Sequence, residues 1–188
     1  MNMKLTKRTI ENKDVYFENG VKKYTYYKDR DGCEYWKEFD SNNNEIHYKT
    51  SGGFESWSEY DSNNNQIHYK NSGGSETWRE FDKNNNEIHS KDSNGFESWK
   101  EFDSNDNLIH YKDSDGDEYW SEYDSSKNLI HYKNNTGFEI WREYDKNNNQ
   151  IHYKTSGGFE SWSNDNPKNP KNRGVEVDIE PFTFTTEK

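Results

Sequence analysis

The sequence predicts an all-β protein, an elongated antiparallel β-sheet or solenoid built from 21-residue β-hairpin repeats. Three observations carry that expectation. All seven tryptophans (Trp36, Trp57, Trp78, Trp99, Trp120, Trp141 and Trp162) stand 21 residues apart. All six histidines (His47, His68, His89, His110, His131 and His152) keep the same interval. Between them, an Asp/Asn-rich turn alternates with a Gly-containing one. Self-similarity at a fixed period near 20 residues is the mark of stacked supersecondary units. Composition alone points elsewhere: Leu, Ile, Val and Phe total 26 of 188 residues and the mean hydropathy is −1.58, values typical of disorder. The repeat overrides them, because the 7 Trp, 14 Tyr and 10 Phe bring large rings able to bury surface while keeping polar tips wet. The core is therefore expected to be thin and aromatic.

Residues 1–30 read as an N-terminal capping hairpin, a degenerate repeat without its Trp, in which Val15–Val21 and Lys22–Tyr27 fold about Asn19-Gly20. Residues 31–164 are the array. One unit, 54–74, reads F-E-S-W-S-E-Y-D-S-N-N-N-Q-I-H-Y-K-N-S-G-G: a strand, a polar turn, a second strand and a Gly turn. Period-two alternation puts Glu55, Trp57 and Glu59 on one face and Phe54, Ser56, Ser58 and Tyr60 on the other. With Tyr60 opposite Ile67, Glu59 faces His68 and Trp57 faces Lys70, a ladder of acid–imidazole and cation–π pairs. Tyr60, Ile67, Tyr69 and Phe54 then form the main core stripe. Units whose first residue is not Phe, at Cys33 and Asp117, carry Tyr35 or Tyr119 just before Trp, as packing compensation requires. The third unit has neither, with Ser75 and Thr77, and Ser90 replaces the Tyr found elsewhere; a locally thin stripe is expected there. Residues 165–174 read as a linker around Pro167 and Pro170. In 175–188, a C-terminal strand and tail, Val175–Ile179 alternates as a strand and Phe182 and Phe184 continue the apolar stripe.

Charge divides unevenly. Residues 1–30 carry eight basic and four acidic side chains, residues 31–164 carry 13 and 27, and residues 165–188 carry four and five. An acidic array repels phosphate backbones and attracts basic proteins, so direct nucleic-acid binding is not expected. A single cysteine, Cys33, excludes an internal disulfide framework, and no apolar run reaches the length of a signal segment or a membrane span. The expected location is the cytoplasm, without membrane contact.

Asp40-x-Asn42-x-Asn44 and its copies at Asp61, Asp82 and Asp103 share the first half of a calcium loop, and Asp113-x-Asp115-Gly116-Asp117 carries more charge. None has Glu at the twelfth position, and tight hairpin loops favour the same residues. Histidines in successive units lie about 9–10 Å apart at normal strand spacing, too far to share a metal. Glu55 and Glu59 are separated by about 13 Å along one strand, too far for paired-carboxylate chemistry. No catalytic residue, metal or cofactor is expected, and the protein reads as non-enzymatic.

The consensus W-x-E-[FY]-D-x-N-x-N-x-I-H-Y-K over residues 31–164 resembles the YD repeats of RHS-type proteins, in which Tyr-Asp enters a turn and an aliphatic residue leaves it, as Tyr60-Asp61 and Ile67 do. The turn here is one residue longer, Asn-rich sequence replaces the family's Gly-Arg, and Trp57 has no fixed counterpart. The resemblance implies a hairpin array. Looser likenesses join the unit to MORN repeats, whose glycines it lacks, and to choline-binding cell-wall repeats, which place Trp-Tyr-Tyr on short hairpins.

Two functional expectations follow. In the first, the array is an acidic module that binds a basic partner protein, such as a phage or mobile-element inhibitor of a nucleic-acid-binding nuclease or defence effector. Its partner-binding residues are Glu55, Trp57, Glu59, Glu76, Trp78, Glu80, Glu97, Trp99 and Glu101. In the second, the Trp row is a stacking platform for carbohydrate or cell wall. Homo-oligomerisation through the C-terminal strand is a further expectation.

Overall fold

A computed structural model describes residues 5–10, 13–164, 166 and 168–172. The chain divides into two compact units, Met1–Ser121 and Glu122–Lys188. The first opens with β1 (Leu5–Ile10), β2 (Lys13–Glu18) and β3 (Val21–Lys28). The repeats follow as hairpins: β4 (Glu34–Phe39) with β5 (Glu45–Thr50), β6 (Glu55–Tyr60) with β7 (Gln66–Asn71), β8 (Glu76–Phe81) with β9 (Glu87–Asp92), and β10 (Glu97–Phe102) with β11 (Leu108–Asp113). β12 (Glu118–Tyr123) begins the next hairpin. The second unit holds β13 (Leu129–Asn134), β14 (Glu139–Tyr144), β15 (Gln150–Thr155), β16 (Glu160–Trp162) and a 3-10 turn at Pro170–Asn172. In each unit, sheet order is chain order and every pairing is antiparallel. Among the described residues, strands touch only their chain neighbours, so each unit is a single layer.

Both turns of the repeat have the same backbone plan. In the polar turn, Asn64 N–H donates to Asp61 O and Asp61 N–H donates to Asn65 O. Asn64 closes the turn at φ 67°, the left-handed conformation that Asn tolerates better than most residues. The Asp61 carboxylate accepts the backbone N–H groups of Asn63 and Asn65 and the Asn65 amide. The Asn65 Nδ2 also donates to Asn85 Oδ1 in the next turn, at 2.9 Å. Asn44 to Asn64 and Asn86 to Asp106 repeat that link. The Gly turn matches it: Gly53 N–H donates to Thr50 O, Thr50 N–H donates to Phe54 O, and Gly53 sits at φ 89°. Ser51 lengthens the hairpin by one rung, since its N–H donates to Glu34 O and its hydroxyl accepts from Glu34 N–H.

The polar turn corrects one expectation. Glu59 does pair with His68 and Trp57 with Lys70, but Tyr60 lies opposite Gln66, not Ile67. The register shifts by one residue between Glu59 and Tyr60, a β-bulge in the second strand that the Gly turn, with the same backbone plan, does not share. Ile67 is the extra residue, and the same shift occurs between Glu38 and Phe39, Glu80 and Phe81, and Glu101 and Phe102.

The face bearing the Tyr row is the more covered one. Ser56 and Ser98 are 8 % and 3 % exposed there, while the buried apolar side chains among the described residues are Val15 and Phe39. The ring exchange expected from sequence is present. Tyr48 meets Phe54 with centroids 6.0 Å apart, whereas Tyr27 stacks on Tyr35 at 4.5 Å and Tyr111 on Tyr119 at 5.0 Å. The thin stripe at Ser90 is not an opening. Ser90 pairs with Ser98 through a 2.9 Å hydroxyl contact, and beside it Glu87 bridges Arg79 at 3.4 Å and Lys100 at 2.7 Å. Long aliphatic stems closed by an ion pair take the place of the missing ring.

The N-terminal hairpin turns at Asn19-Gly20, both at positive φ, with β1 added outside it. In the stretch read as a linker, Asn166 and Asn169 are buried; Asn166 donates to Ile151 O and Asn169 to Ser163 O. Residues 175–188, including the expected C-terminal strand, lie outside the described residues.

Candidate functional site: the tryptophan–glutamate face

The opposite face of the sheet carries every residue singled out for partner binding, and all nine lie in the first unit. Within a hairpin the polar turn sets Glu59 against His68. Between hairpins the Gly turn sets His68 against Trp78 and Lys70 against Glu76. Each histidine thus has a carboxylate on both sides and an indole beside it. His68 Nε2 is 2.8 Å from Glu76 and Nδ1 is 3.4 Å from Glu59, and its ring lies 5.4 Å from that of Trp78 at an interplanar angle of 12°. His47 repeats this with Glu55 (2.8 Å), Glu38 (3.7 Å) and Trp57 (5.4 Å). His89 does so with Glu97, Glu80 and Trp99, and His110 with Glu118, Glu101 and Trp120. In each clamp the Nε2 contact is the shorter of the two.

This clamp separates the six predicted glutamates into two classes. Glu55, Glu76 and Glu97 hold the shorter histidine contact and are half-buried, and Glu55 and Glu97 each also approach a lysine, Lys49 and Lys91. Glu59, Glu80 and Glu101 project, with side chains 70 %, 70 % and 69 % exposed. Trp78 and Trp99 are each 41 % exposed. Trp57 is more covered, with Lys70 Nζ 5.4 Å from its ring. The cation–π pairing expected from sequence is therefore present at Trp57. The stack of each indole on the preceding unit's histidine was not foreseen; its signal is the constant ten-residue interval from His to the next Trp.

At the N-terminal end of this face, Tyr26 replaces histidine against Trp36, with centroids 5.5 Å apart. An open cavity of about 860 Å³ lies there, lined by residues that include Tyr16, Tyr24, Tyr26, Trp36, Glu38 and His47. Among the described residues, no group of three or more His, Cys, Asp or Glu side chains is placed to hold a metal ion. The Asp61 and Asp113 carboxylates of the calcium-like stretches accept backbone N–H groups of their own turns.

No protein-family model matches the chain, and no curated protein matches it in sequence. The fold does have solved neighbours. One is a crystal structure of TcdB2-TccC3-TEV, with a TM-score of 0.53 and 13% identity over 81% of this chain and 10% of that one. A Photorhabdus luminescens Tc holotoxin pore with a mutated TccC3 gives 0.52 and 13% over 80% and 9%. A crystal structure of TcdB2-TccC3-Cdc42 gives 0.51 and 13% over 69% and 8%. This chain therefore spans about a tenth or less of those chains, and at this identity the likeness is one of fold. What the neighbours share with this chain is an array of β-hairpins, the architecture that the resemblance of the Tyr-Asp turn to YD repeats implies.

Proposed function

We propose that the protein is a non-catalytic binding module whose Trp–Glu face docks on a basic partner protein. The observation that carries this is the division among the glutamates. Glu55, Glu76 and Glu97 are occupied in holding the face together, whereas Glu59, Glu80 and Glu101 stand out from it, Glu80 and Glu101 beside the exposed indoles of Trp78 and Trp99. Carboxylates beside aromatic surface suit lysine and arginine side chains. A nucleic-acid-binding nuclease or defence effector offers such a surface, and inhibition by covering it is the activity that fits, in a phage or mobile-element setting.

The test is capture on immobilised full-length protein at low salt, comparing the native chain with Glu59→Gln/Glu80→Gln/Glu101→Gln. The variant is expected to keep its far-UV spectrum and lose the basic proteins that the native chain retains. Equal retention by both would sink the reading. The exposure of Trp78 and Trp99 also favours the carbohydrate alternative. There, Trp99→Ala should abolish retention on polysaccharide while the glutamine variant still binds.

A further inference from the structure

The spacing of the Trp–Glu face selects among the backbone conformations a partner segment can adopt. Equivalent residues of successive repeats are two strands apart, and strand spacing makes that interval about 9.4–9.8 Å. Within the first unit the exposed tryptophans Trp78, Trp99 and Trp120 form one row at this interval. Glu59, Glu80 and Glu101, with side chains about 70 % exposed, form a parallel one. A ligand crossing the strands along these rows meets an exposed indole and an exposed carboxylate together at β8 and β10, with Glu59 one step before them and Trp120 one step beyond.

Three regular conformations can be laid along such rows. A β-strand places same-face side chains about 6.6–6.8 Å apart and its third residue on the opposite face. An α-helix repeats after two turns at about 10.8 Å, overshooting by about 1 Å per step, or more than 2 Å over three rungs. A polyproline II helix repeats every three residues at about 9.3 Å, and over three rungs its error stays near 0.5 Å. It also makes no internal hydrogen bonds, so it can follow the twist of a sheet. Aromatic surface is what proline-rich segments dock on, and the exposed indoles supply it.

We infer that the Trp–Glu face binds a basic, proline-rich segment in the polyproline II conformation, with lysine or arginine at every third position. Each cation meets one of Glu59, Glu80 and Glu101, and the intervening prolines lie on the row of indoles. The inference rests on the reading of this face as the docking surface for a basic partner and specifies the partner's conformation and charge period.

The test is fluorescence anisotropy of the full-length protein with two labelled twelve-residue peptides of identical composition. One is Lys-Pro-Pro repeated four times, and the other has its four lysines in one block followed by its prolines. At about 0.1 M salt, where exposed charges more than about 10 Å apart are largely screened, the periodic peptide is expected to bind about tenfold tighter, because its charges are pre-set at the matching interval. That preference should vanish in Glu80→Gln and in Trp99→Ala, two variants checked for fold by far-UV spectra. Equal binding of both peptides overturns the inference and leaves the basic-partner reading standing. Binding of neither peptide, while low-salt capture still retains basic proteins, also overturns the inference alone; binding of neither with empty capture removes both.

Discussion

A histidine in this protein joins three neighbours from two repeats. His110 contacts Glu118 at 3.0 Å and Glu101 at 3.3 Å and lies against Trp120 with centroids 5.1 Å apart. Replacing it with alanine leaves two carboxylates facing a gap and exposes one side of an indole. His110→Ala is therefore expected to cost about 1–2 kcal/mol, by the usual worth of a hydrogen bond to a charged group together with a cross-strand pair. His110→Gln, which restores one donor, should recover part of that. Urea midpoints of the two variants check the order; equal midpoints would show that the ring stack, and not the donor, holds the position. The Glu59–His68 half of the clamp was legible in the sequence because a single short turn fixes the register between them. The His68–Trp78 half was not, because it depends on the second turn, whose backbone plan the Gly and Ser residues leave unstated.

The polar hairpin turn is the element with the clearest response to acid. At Asp61, Asp124 and Asp145 the side-chain amide of the fourth following residue leads, together with backbone N–H groups, in holding the carboxyl below its ordinary value. At Asp82 the Asn86 backbone N–H leads. A carboxyl depressed on folding contributes stability that is present above its unfolded pKa and lost as pH falls through the folded value. Melting midpoints should therefore hold down to about pH 4, the ordinary carboxylate range, and fall progressively below it. In Asp61→Asn/Asp82→Asn the fall should be shallower, although both midpoints at pH 7 are lower. Backbone conformation gives a second prediction at this scale. Asn64→Val places a β-branched residue at φ 67° and removes the amide that accepts from Asn44, so it should cost about 2 kcal/mol or more. Both turns were readable from sequence as turns, but the bulge was not. The observed loop, residues 61–65, is one residue shorter than the Tyr60–Ile67 pairing would leave, and Asn64, left-handed in the structure, looks the same as its neighbours Asn63 and Asn65 in the string of letters.

At the largest scale, the described repeats within each unit touch only the strands before and after them, so the stability of a unit is close to a sum over repeats and their contacts. Excising residues 75–95 joins Gly74 to Phe96 and keeps every pairing rule. It also gives Tyr69 the phenylalanine that its own neighbour Ser75 denies it, as Phe54 serves Tyr48. The shortened chain is expected to fold, with a stability change of about 1–3 kcal/mol, the share of 21 residues at ordinary per-residue values. Removing ten residues from the same region should abolish the cooperative transition, because a half-period joins strand to strand out of phase. The fold class was fully visible in the spacing of Trp and His. Which face carries the thicker cover was visible in the exchange of Phe54 for Tyr35 or Tyr119. The division of glutamates into held and projecting sets was not, since Glu55 and Glu59 occupy the same face of one strand, and what separates them is the neighbour each meets across a different turn, His47 Nε2 for Glu55 and His68 Nδ1 for Glu59. The pairing of six indoles with six imidazoles has one further consequence, for optical measurement. Trp57, Trp78, Trp99, Trp120, Trp141 and Trp162 each lie within 3.7–5.5 Å of a histidine ring, so their emission is set by one shared kind of neighbour. Native fluorescence then reports on the stacks, and fraying that releases an indole from its imidazole is read as a change of emission in steps of one chromophore.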